Sequence, residues 1–392
     1  MLSLAGGLTV RDAAAAPRFN PLHGRDVTLT LADGTIRAAG TLVEPTTGTR
    51  VSDVAITHRL ASGEGRADLA VPGIAFTKSF QPDLLTRLTV GVVADVIGTV
   101  TGGGHIAWRQ TGVTSAGRFA THGMDLAAAV GPVTGITTAI TFTDLLGLES
   151  APGQVATVKT INPGIAVTDG TIRYQTLPGN RVRVEGGEWP FAGGQLTLLP
   201  TLLDFSTDQP RRMTFRIRGA AADQFLEQFD FKNLDATGIF DGELPMVFDT
   251  TGGRIEGGRL SVRDGGGGLA YVGELTQKDL GFWGNLAFQA LRSLRYRSLT
   301  ITMNGPLAGE MVTEVRFAGV TQGKGAKSNF LIRRLQRLPF VFNVRIKAPF
   351  RGLLDSAQSF YDPSRLIQRN LPALLEEQRK QGIQPPASET VP

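Results

Sequence analysis

Apolar and polar residues alternate with a period of two along much of this chain. The alternation is clearest at 212–218, which reads RMTFRIR, and at 342–347, which reads FNVRIK. Successive side chains of an extended strand point to opposite faces of the sheet, so each segment has one apolar face and one cationic face. The pattern predicts a long β surface whose apolar face carries the function.

Turn signals separate the alternating segments. An Asp-Gly pair at 33–34 lies between two alternating runs, which is a strong signal for a β-hairpin. The pentapeptide DGTIR that begins there, at 33–37, recurs unchanged at 169–173. Glycine makes up 49 of 392 residues, well above the usual ~7%. These features predict a mostly β fold built as one elongated, serial antiparallel sheet.

Helical periodicity is confined to three segments, at 221–231, 277–294 and 363–380. The second segment is the most amphipathic. The pattern favours a helix that packs on the sheet and caps one end, and a helix that lies on a membrane surface stays open as the alternative. The residues assigned to its apolar side are Leu280, Phe282, Trp283, Leu291 and Leu294.

The chain is too long for one ordinary small core, which favours two domains or one elongated repeat architecture. The patterns divide it into six segments. They are an N-terminal β part at 1–150, a central β part at 151–276 that includes the short helix, the amphipathic helix at 277–297, C-terminal strands at 298–362, a C-terminal helix at 363–380 and a disordered tail at 381–392.

Composition excludes several classes of protein. The formal net charge is only +5 and the cations are not concentrated beside aromatic residues, so nucleic-acid binding is not expected. The absence of Cys excludes disulfides and thiolate metal sites. No window approaches 18 consecutive apolar residues, so no transmembrane helix is predicted. Residues 1–16 lack the features of a signal peptide, and any export signal or anchor is expected outside this sequence.

No group of residues has the spacing of a catalytic or metal centre. The four His residues have no partner at the spacing of a metal site or a catalytic triad. The segment GVTQGKG at 319–325 has one residue too few between its glycines for a phosphate loop. Carboxylates are scattered, which leaves open a glycosidase-type pair drawn from neighbouring strands. We therefore expect no enzyme activity, no cofactor and no metal.

Several motifs in the second half of the chain resemble those of a known family. They are DATGIFDGELP at 235–245, GGRIEGGRL at 252–260, LAYVGEL at 269–275 and PFRGLL at 349–354, preceded by INPGI at 161–165. Together they resemble the C-terminal part of the YdbH-type proteins, relatives of the AsmA-like envelope proteins that include TamB. The resemblance extends over about 154–372 and consists of turn and strand motifs.

The resemblance implies a shape, a location and partners. The expected fold is a U-shaped β groove with an apolar lining, anchored in the inner membrane and reaching across the periplasm of a Gram-negative envelope. Phospholipid acyl chains are expected to travel along it to the outer membrane. A small outer-membrane lipoprotein is expected to add strands to the C-terminal edge, near 340–350. The N-terminal membrane anchor of the family is missing from this sequence, so the chain looks like the C-terminal portion of a longer protein.

On this interpretation the alternating strands line the groove. A lipid conduit needs a continuous apolar stripe, since each CH₂ removed from water contributes ~0.8 kcal/mol, and roughly 20 strands spaced ~4.8 Å apart would extend for about 95 Å. Two alternatives stay open, a structural or adhesive β-solenoid with a sealed core and a solenoid-type carbohydrate enzyme. The expected lining residues are Val182, Val184, Met213, Phe215, Ile217, Phe342, Val344 and Ile346.

Overall fold

The structure of the chain is a computed structural model. It describes residues 1–90, 92–128, 131–162, 166–207, 209–228, 234–249, 252–271, 294–307, 309–319 and 321–322, together with the backbone of 341–349. Most of these residues lie in strands, as the period-two alternation predicts.

The strands of the N-terminal part are long. They are β1 Leu2–Val10, β2 Leu22–Ala32, β3 Thr35–Val43, β4 Arg50–Arg59, β5 Glu64–Phe76, β6 Val93–Arg109, β7 Gly112–Ala128, β8 Gly131–Asp144 and β9 Glu149–Ser150. Two short 3₁₀ turns, Pro82–Leu84 and Arg87–Thr89, connect β5 to β6. Asp33 and Gly34, between β2 and β3, both have positive φ (49° and 67°), as a type I′ hairpin turn requires. The hairpin predicted there is confirmed.

The C-terminal part continues in the same way, with one short helix. Its strands are β10 Gln154–Ile161, β11 Val167–Leu177, β12 Arg181–Phe191, β13 Gly194–Leu198, β14 Thr201–Asp204, β15 Arg211–Ala221, β16 Leu234–Thr237, β17 Ile239–Asp249, β18 Gly252–Val262, β19 Gly267–Tyr271, β20 Leu294–Tyr296, β21 Ser298–Pro306, β22 Glu310–Ala318, β23 Thr321–Gln322 and β24 Val341–Pro349. The helix α1, Ala222–Gln228, lies inside the segment 221–231 that helical periodicity predicted.

One antiparallel sheet contains twenty of these strands, and its order follows the chain. Past β12, the strands β13 and β14 share one position in the sheet, after which the order continues through β15, β17, β18, β21, β22 and β24. Within the described residues β1 pairs only with β2, and β24 only with β22, so the sheet is open. The prediction of a mostly β, serial antiparallel sheet is confirmed.

Four strands of this sheet continue past a bend into a second, four-stranded sheet made of β16, β19, β20 and β23. We call the line of bends the crease; it runs through Gly238, Gly266, Arg297 and Gly319. Gly266 has a φ of 66°, and a Cβ there would lie 2.0 Å from the carbonyl oxygen of Tyr296. Only glycine fits so close to a neighbouring backbone at this φ, which lets the strands turn together.

The second copy of DGTIR does not form a turn. It lies inside β11, and its Gly170 is next to the side chain of Trp189 on β12. A Cβ on Gly170 would lie 1.8 Å from Nε1 of Trp189, so this glycine makes room for an indole ring. The first copy therefore forms a hairpin turn, whereas the second provides space for a buried side chain.

The prediction of an amphipathic helix at 277–297 is wrong at the C-terminal end of that segment. Leu294 begins the strand β20, where it pairs with Leu269 of β19 and with Gln322 of β23. Residues 277–293 lie outside the described part of the chain, as do the predicted helix at 363–380 and the tail at 381–392.

Candidate functional site

The two faces of β15 differ as the alternation predicts. Met213, Phe215 and Ile217 point to one face and are 7%, 5% and 1% exposed. Arg212 and Arg218, which flank these three residues, point to the other face and are exposed. We call the first face of the sheet the apolar face, and the second the polar face.

The apolar face continues across the neighbouring strands. Phe215 lies opposite Leu198 of β13 and Leu244 of β17, and its ring centroid is 6.2 Å from that of Trp189. These side chains belong to one cluster of buried apolar residues that extends from Val133 on β8 to Phe317 on β22. The core of the C-terminal part is therefore the apolar face itself.

Arginines on the polar face are balanced by carboxylates on adjacent strands. Arg216 contacts Glu243 at 2.7 Å, and a second such pair joins Arg263 to Asp241 at 2.7 Å. Hydrogen bonds donated by Arg263 lower the pKa of Asp241. Exposed ion pairs of this kind contribute little to stability. They do mean that the cationic face inferred from β15 alone is partly neutralised once the strands are side by side.

In the N-terminal part the same face is far less covered. One row across the sheet contains Leu4, Leu29, Ala38, Ile56 and Ala67, in register on β1 to β5. Leu4 is 56% exposed, three of the others are half-buried, and Ala67 is buried. Here an apolar surface faces water, whereas in the C-terminal part it faces other side chains.

The two parts of the apolar face are joined through β7. A small cluster on β5 and β6, which includes Val71, Ile74 and Phe76, packs against Leu126 of β7. Leu126 also packs against the large cluster of the C-terminal part. The apolar face is therefore continuous along the described sheet.

The segment 11–21, between β1 and β2, reaches across the sheet; we call it the crossing loop. The backbone N–H of Asn20 donates to the carbonyl oxygen of Leu85 at 2.7 Å. Arg18 donates from Nη1 to the carbonyl oxygen of Leu146, in the turn after β8, at 3.2 Å. That turn lies over the apolar face, since a Cβ on Gly104 of β6 would be 2.9 Å from Cδ2 of Leu145.

Asp12 holds the crossing loop in shape, and we expect this contribution to disappear in acid. Its carboxylate accepts hydrogen bonds from the backbone N–H groups of Arg18 and Ala14, which lower the pKa of Asp12 to about 2. A depressed folded-state pKa stabilises the fold above the unfolded value of about 3.9, and this stability is lost as the pH falls through about 2. Asp12→Asn should therefore be less stable than the original protein at pH 7, with the difference narrowing between pH 4 and pH 2.

Urea denaturation at a series of pH values measures that difference. Asp33→Asn is the matched control, because Asn suits the β2–β3 hairpin turn as well as Asp does. A stability difference for Asp12→Asn that stays constant down to pH 2 would contradict the assignment.

The structure places some of the predicted lining residues together and leaves others undescribed. Val184 is buried on the same cluster as Phe215, and Val182 is half-buried and packs against it. The positions of Phe342, Val344 and Ile346 in β24 pair with Phe317, Val315 and Thr313 of β22, and their side chains lie outside the description. Leu280, Phe282, Trp283 and Leu291 also lie outside the described residues, while Leu294 is buried in β20.

Sequence reasoning missed Trp189, which is 2% exposed and central to the cluster. In β12 the buried side switches from the even position Val184 to the odd positions Trp189 and Phe191, because the register shifts opposite residues 173–174 of β11. The Gly-Gly pair at 186–187 was the available signal for such a bulge. The indole N–H of Trp189 has no hydrogen-bond partner in the described structure.

The described residues contain no cluster of metal-binding side chains. No group of three or more His, Asp or Glu residues is placed there to hold a metal ion. His58 accepts a hydrogen bond at Nδ1 from the indole N–H of Trp108, at 3.2 Å. None of the helices described is both long and apolar enough to cross a membrane.

A family model with the description YdbH-like, intermembrane phospholipid transport protein YdbH, matches residues 5–372. This chain belongs to the YdbH-like family. The resemblance drawn from the turn and strand motifs is therefore confirmed, and it extends through the N-terminal part as well. Among the curated proteins and the solved structures, none matches the chain.

Proposed function

We propose that this chain is a non-enzymatic conduit that carries phospholipid acyl chains along its apolar face, between the inner and outer membranes of a Gram-negative envelope. The observation that carries the proposal is the continuity of the apolar face from Leu4 on β1 to Phe317 on β22, with its N-terminal part open to water. The family of the chain supports the ligand class.

The energetics of an acyl chain fit an open apolar stripe. Keeping about 15 methylenes out of water is worth roughly 12 kcal/mol at ~0.8 kcal/mol each. The row of small and branched apolar residues that includes Ala38, Ile56 and Ala67 offers similar contacts at each strand. A tail can then move from one strand to the next without a deep energy minimum, while the polar headgroup stays in water.

The crossing loop supports a curved, groove-like sheet. Between β2 and β8 there are six interstrand steps, or about 29 Å across a flat sheet. The 11 residues of the loop can reach out and back by only about 18 Å. The contact between Arg18 and Leu146 is therefore easier to make if the sheet bends toward its apolar face.

A sealed β core with a structural role is the second candidate, and the burial of the C-terminal part favours it. Ile217, Ile255 and Phe248 are at most 1% exposed, so an acyl chain reaches that part of the apolar face only if side chains separate. The two candidates therefore differ in whether this part of the sheet opens.

A charge on the open part of the apolar face should remove bound lipid without unfolding the protein. Ile56 is half-buried on that face, and its neighbour Thr57 is exposed on the polar face. Ile56→Asp would place a carboxylate in the acyl path, where a charge without a partner is costly. We expect it to lower the phospholipid that co-purifies without detergent by at least about half, and Thr57→Asp to leave it unchanged.

Mass spectrometry of extracted lipids makes this comparison, with circular dichroism to check that both variants are folded. A folded protein that carries no phospholipid before any substitution would favour the sealed core. Equal lipid in the two variants would place the lipid somewhere other than the apolar face.

The C-terminal edge is proposed as the docking site of an outer-membrane lipoprotein by strand addition. Within the described residues β24 is paired on one side only, to β22, and an unpaired strand edge can accept another strand. The predicted helix at 363–380 could instead be the docking element. Co-purification of the lipoprotein with a chain lacking 362–392 separates the two, because unchanged capture excludes that helix.

A further inference from the structure

A cavity of about 340 Å³ lies where the apolar face approaches the crease. The large sheet provides one wall, with Ile217 on β15, Leu260 on β18 and Phe317 on β22. The helix α1 and the second sheet provide the opposite wall. We call this space the crease chamber.

The wall made by α1 is held by contacts at the middle and at the C-terminal end of the helix. Phe225 packs edge-on against Phe191 of β12, with ring centroids 6.1 Å apart. At the end of the helix, Nε2 of Gln228 donates to the carbonyl oxygen of Ala166 at 2.8 Å. The helix therefore holds Phe225 and Leu226 over the apolar face as part of the chamber lining.

The wall made by the second sheet depends on Tyr296. Its hydroxyl donates to the carbonyl oxygen of Thr237 at 2.8 Å, and its ring packs edge-on against Phe317 at 5.7 Å. Burial raises the pKa of Tyr296 to about 12, so the phenol stays neutral. The residues that line the chamber are otherwise apolar, and none carries a charge. A carboxylate or phosphate would have no partner inside.

We propose that the crease chamber holds the end of a single acyl tail, methyl group inward, with its polar end outside. An apolar cavity of about 150 Å³ takes up one benzene ring, so a chamber of this size has room for roughly a dozen carbon atoms. The inference rests on the proposed function for the identity of the ligand. It adds a resting position to a surface that otherwise offers similar contacts at every strand.

Photo-crosslinking on the full chain tests the proposal. The probe is dodecanoic acid with a diazirine at its methyl end, and the labelled peptides are mapped by mass spectrometry. We expect labelling in α1 and β20. Ala220, a buried lining residue on β15, is the place to fill the chamber, and Ala221, half-buried on the opposite face, gives the matched control. Ala220→Phe should lower labelling of α1 and β20 at least fivefold, and Ala221→Phe should not.

The outcomes separate this inference from the proposed function. Labelling confined to β2–β6, with none in α1 or β20, overturns the chamber and leaves the conduit standing. No labelling anywhere overturns both. Should Ala220→Phe fail to fold, Ala236→Leu fills the opposite wall from β16 and gives the same comparison. Labelling of α1 that neither filling variant lowers also overturns the chamber.

Discussion

Phe215→Asp is expected to lower the stability of the protein by several kcal/mol. Phe215 is 5% exposed and packs between Leu198, Leu244 and Trp189. Removing a buried Phe side chain costs about 3–5 kcal/mol, and a buried carboxylate without a partner adds several more. Since native proteins have only about 5–15 kcal/mol of stability, we expect a protein that is largely unfolded around β15 at pH 7.

Urea denaturation followed by circular dichroism measures this loss. Thr214→Asp is the matched control, since Thr214 is half-buried on the opposite face of the same strand. We expect it to change the stability by less than about 1 kcal/mol. The introduced carboxyl of Phe215→Asp should have a raised pKa in the folded state, so that variant should recover stability as the pH falls. A Phe215→Asp protein that is as stable as the original at pH 7 would mean that water already reaches β15, and would refute the sealed core.

Gly170→Ala is expected to have the second-largest effect. A Cβ at this position would lie 1.8 Å from Nε1 and 2.3 Å from Cδ1 of Trp189. The indole ring is 2% exposed, so it can move only by displacing other parts of the cluster. Overpacking of this kind costs about 1–3 kcal/mol, and displacement of a buried Trp costs about 3–5 kcal/mol. We therefore expect Gly170→Ala to lower the free energy of unfolding by about 1–5 kcal/mol and to shift tryptophan fluorescence to the red.

Gly73→Ala is the control for the backbone change. A Cβ on Gly73 would be 3.5 Å from Cγ2 of Thr99, which is ordinary contact, so we expect a change within about 0.5 kcal/mol. A double-mutant cycle with Trp189→Leu identifies the cause, because Gly170→Ala should cost much less once the indole is gone. An equal cost in both backgrounds would show that the glycine is needed for another reason.

The sequence predicted the features that depend on neighbouring residues. The alternation of Met213, Phe215 and Ile217 with arginines predicted which side of β15 is apolar, because the two-residue period of a strand is local. The Asp-Gly hairpin at 33–34 followed from the positive φ that such turns require. The family followed from turn and strand motifs.

Features that depend on residues distant in sequence could not be predicted in this way. Leu294 ends a segment with helical periodicity, but strand partners on β19 and β23 determine its conformation. The bulge in β12 shifts the buried positions by one residue, so a strict two-residue pattern does not predict that Trp189 is buried. The crossing loop and the crease depend on contacts between segments far apart in the chain, for which no local pattern exists.

The order of the large sheet has a consequence for how such a protein can change its length. Once the short strands β9 and β14 are set aside, each strand in it is hydrogen-bonded to the preceding and the following strand of the sheet, so a hairpin can be added or removed without altering any pairing beyond its own two edges. Each hairpin changes the length by two strand spacings, about 10 Å. Loss of a single strand would instead reverse the direction of everything after it. A lineage can therefore adjust the reach of the sheet in steps of one hairpin, while every remaining strand keeps its apolar side.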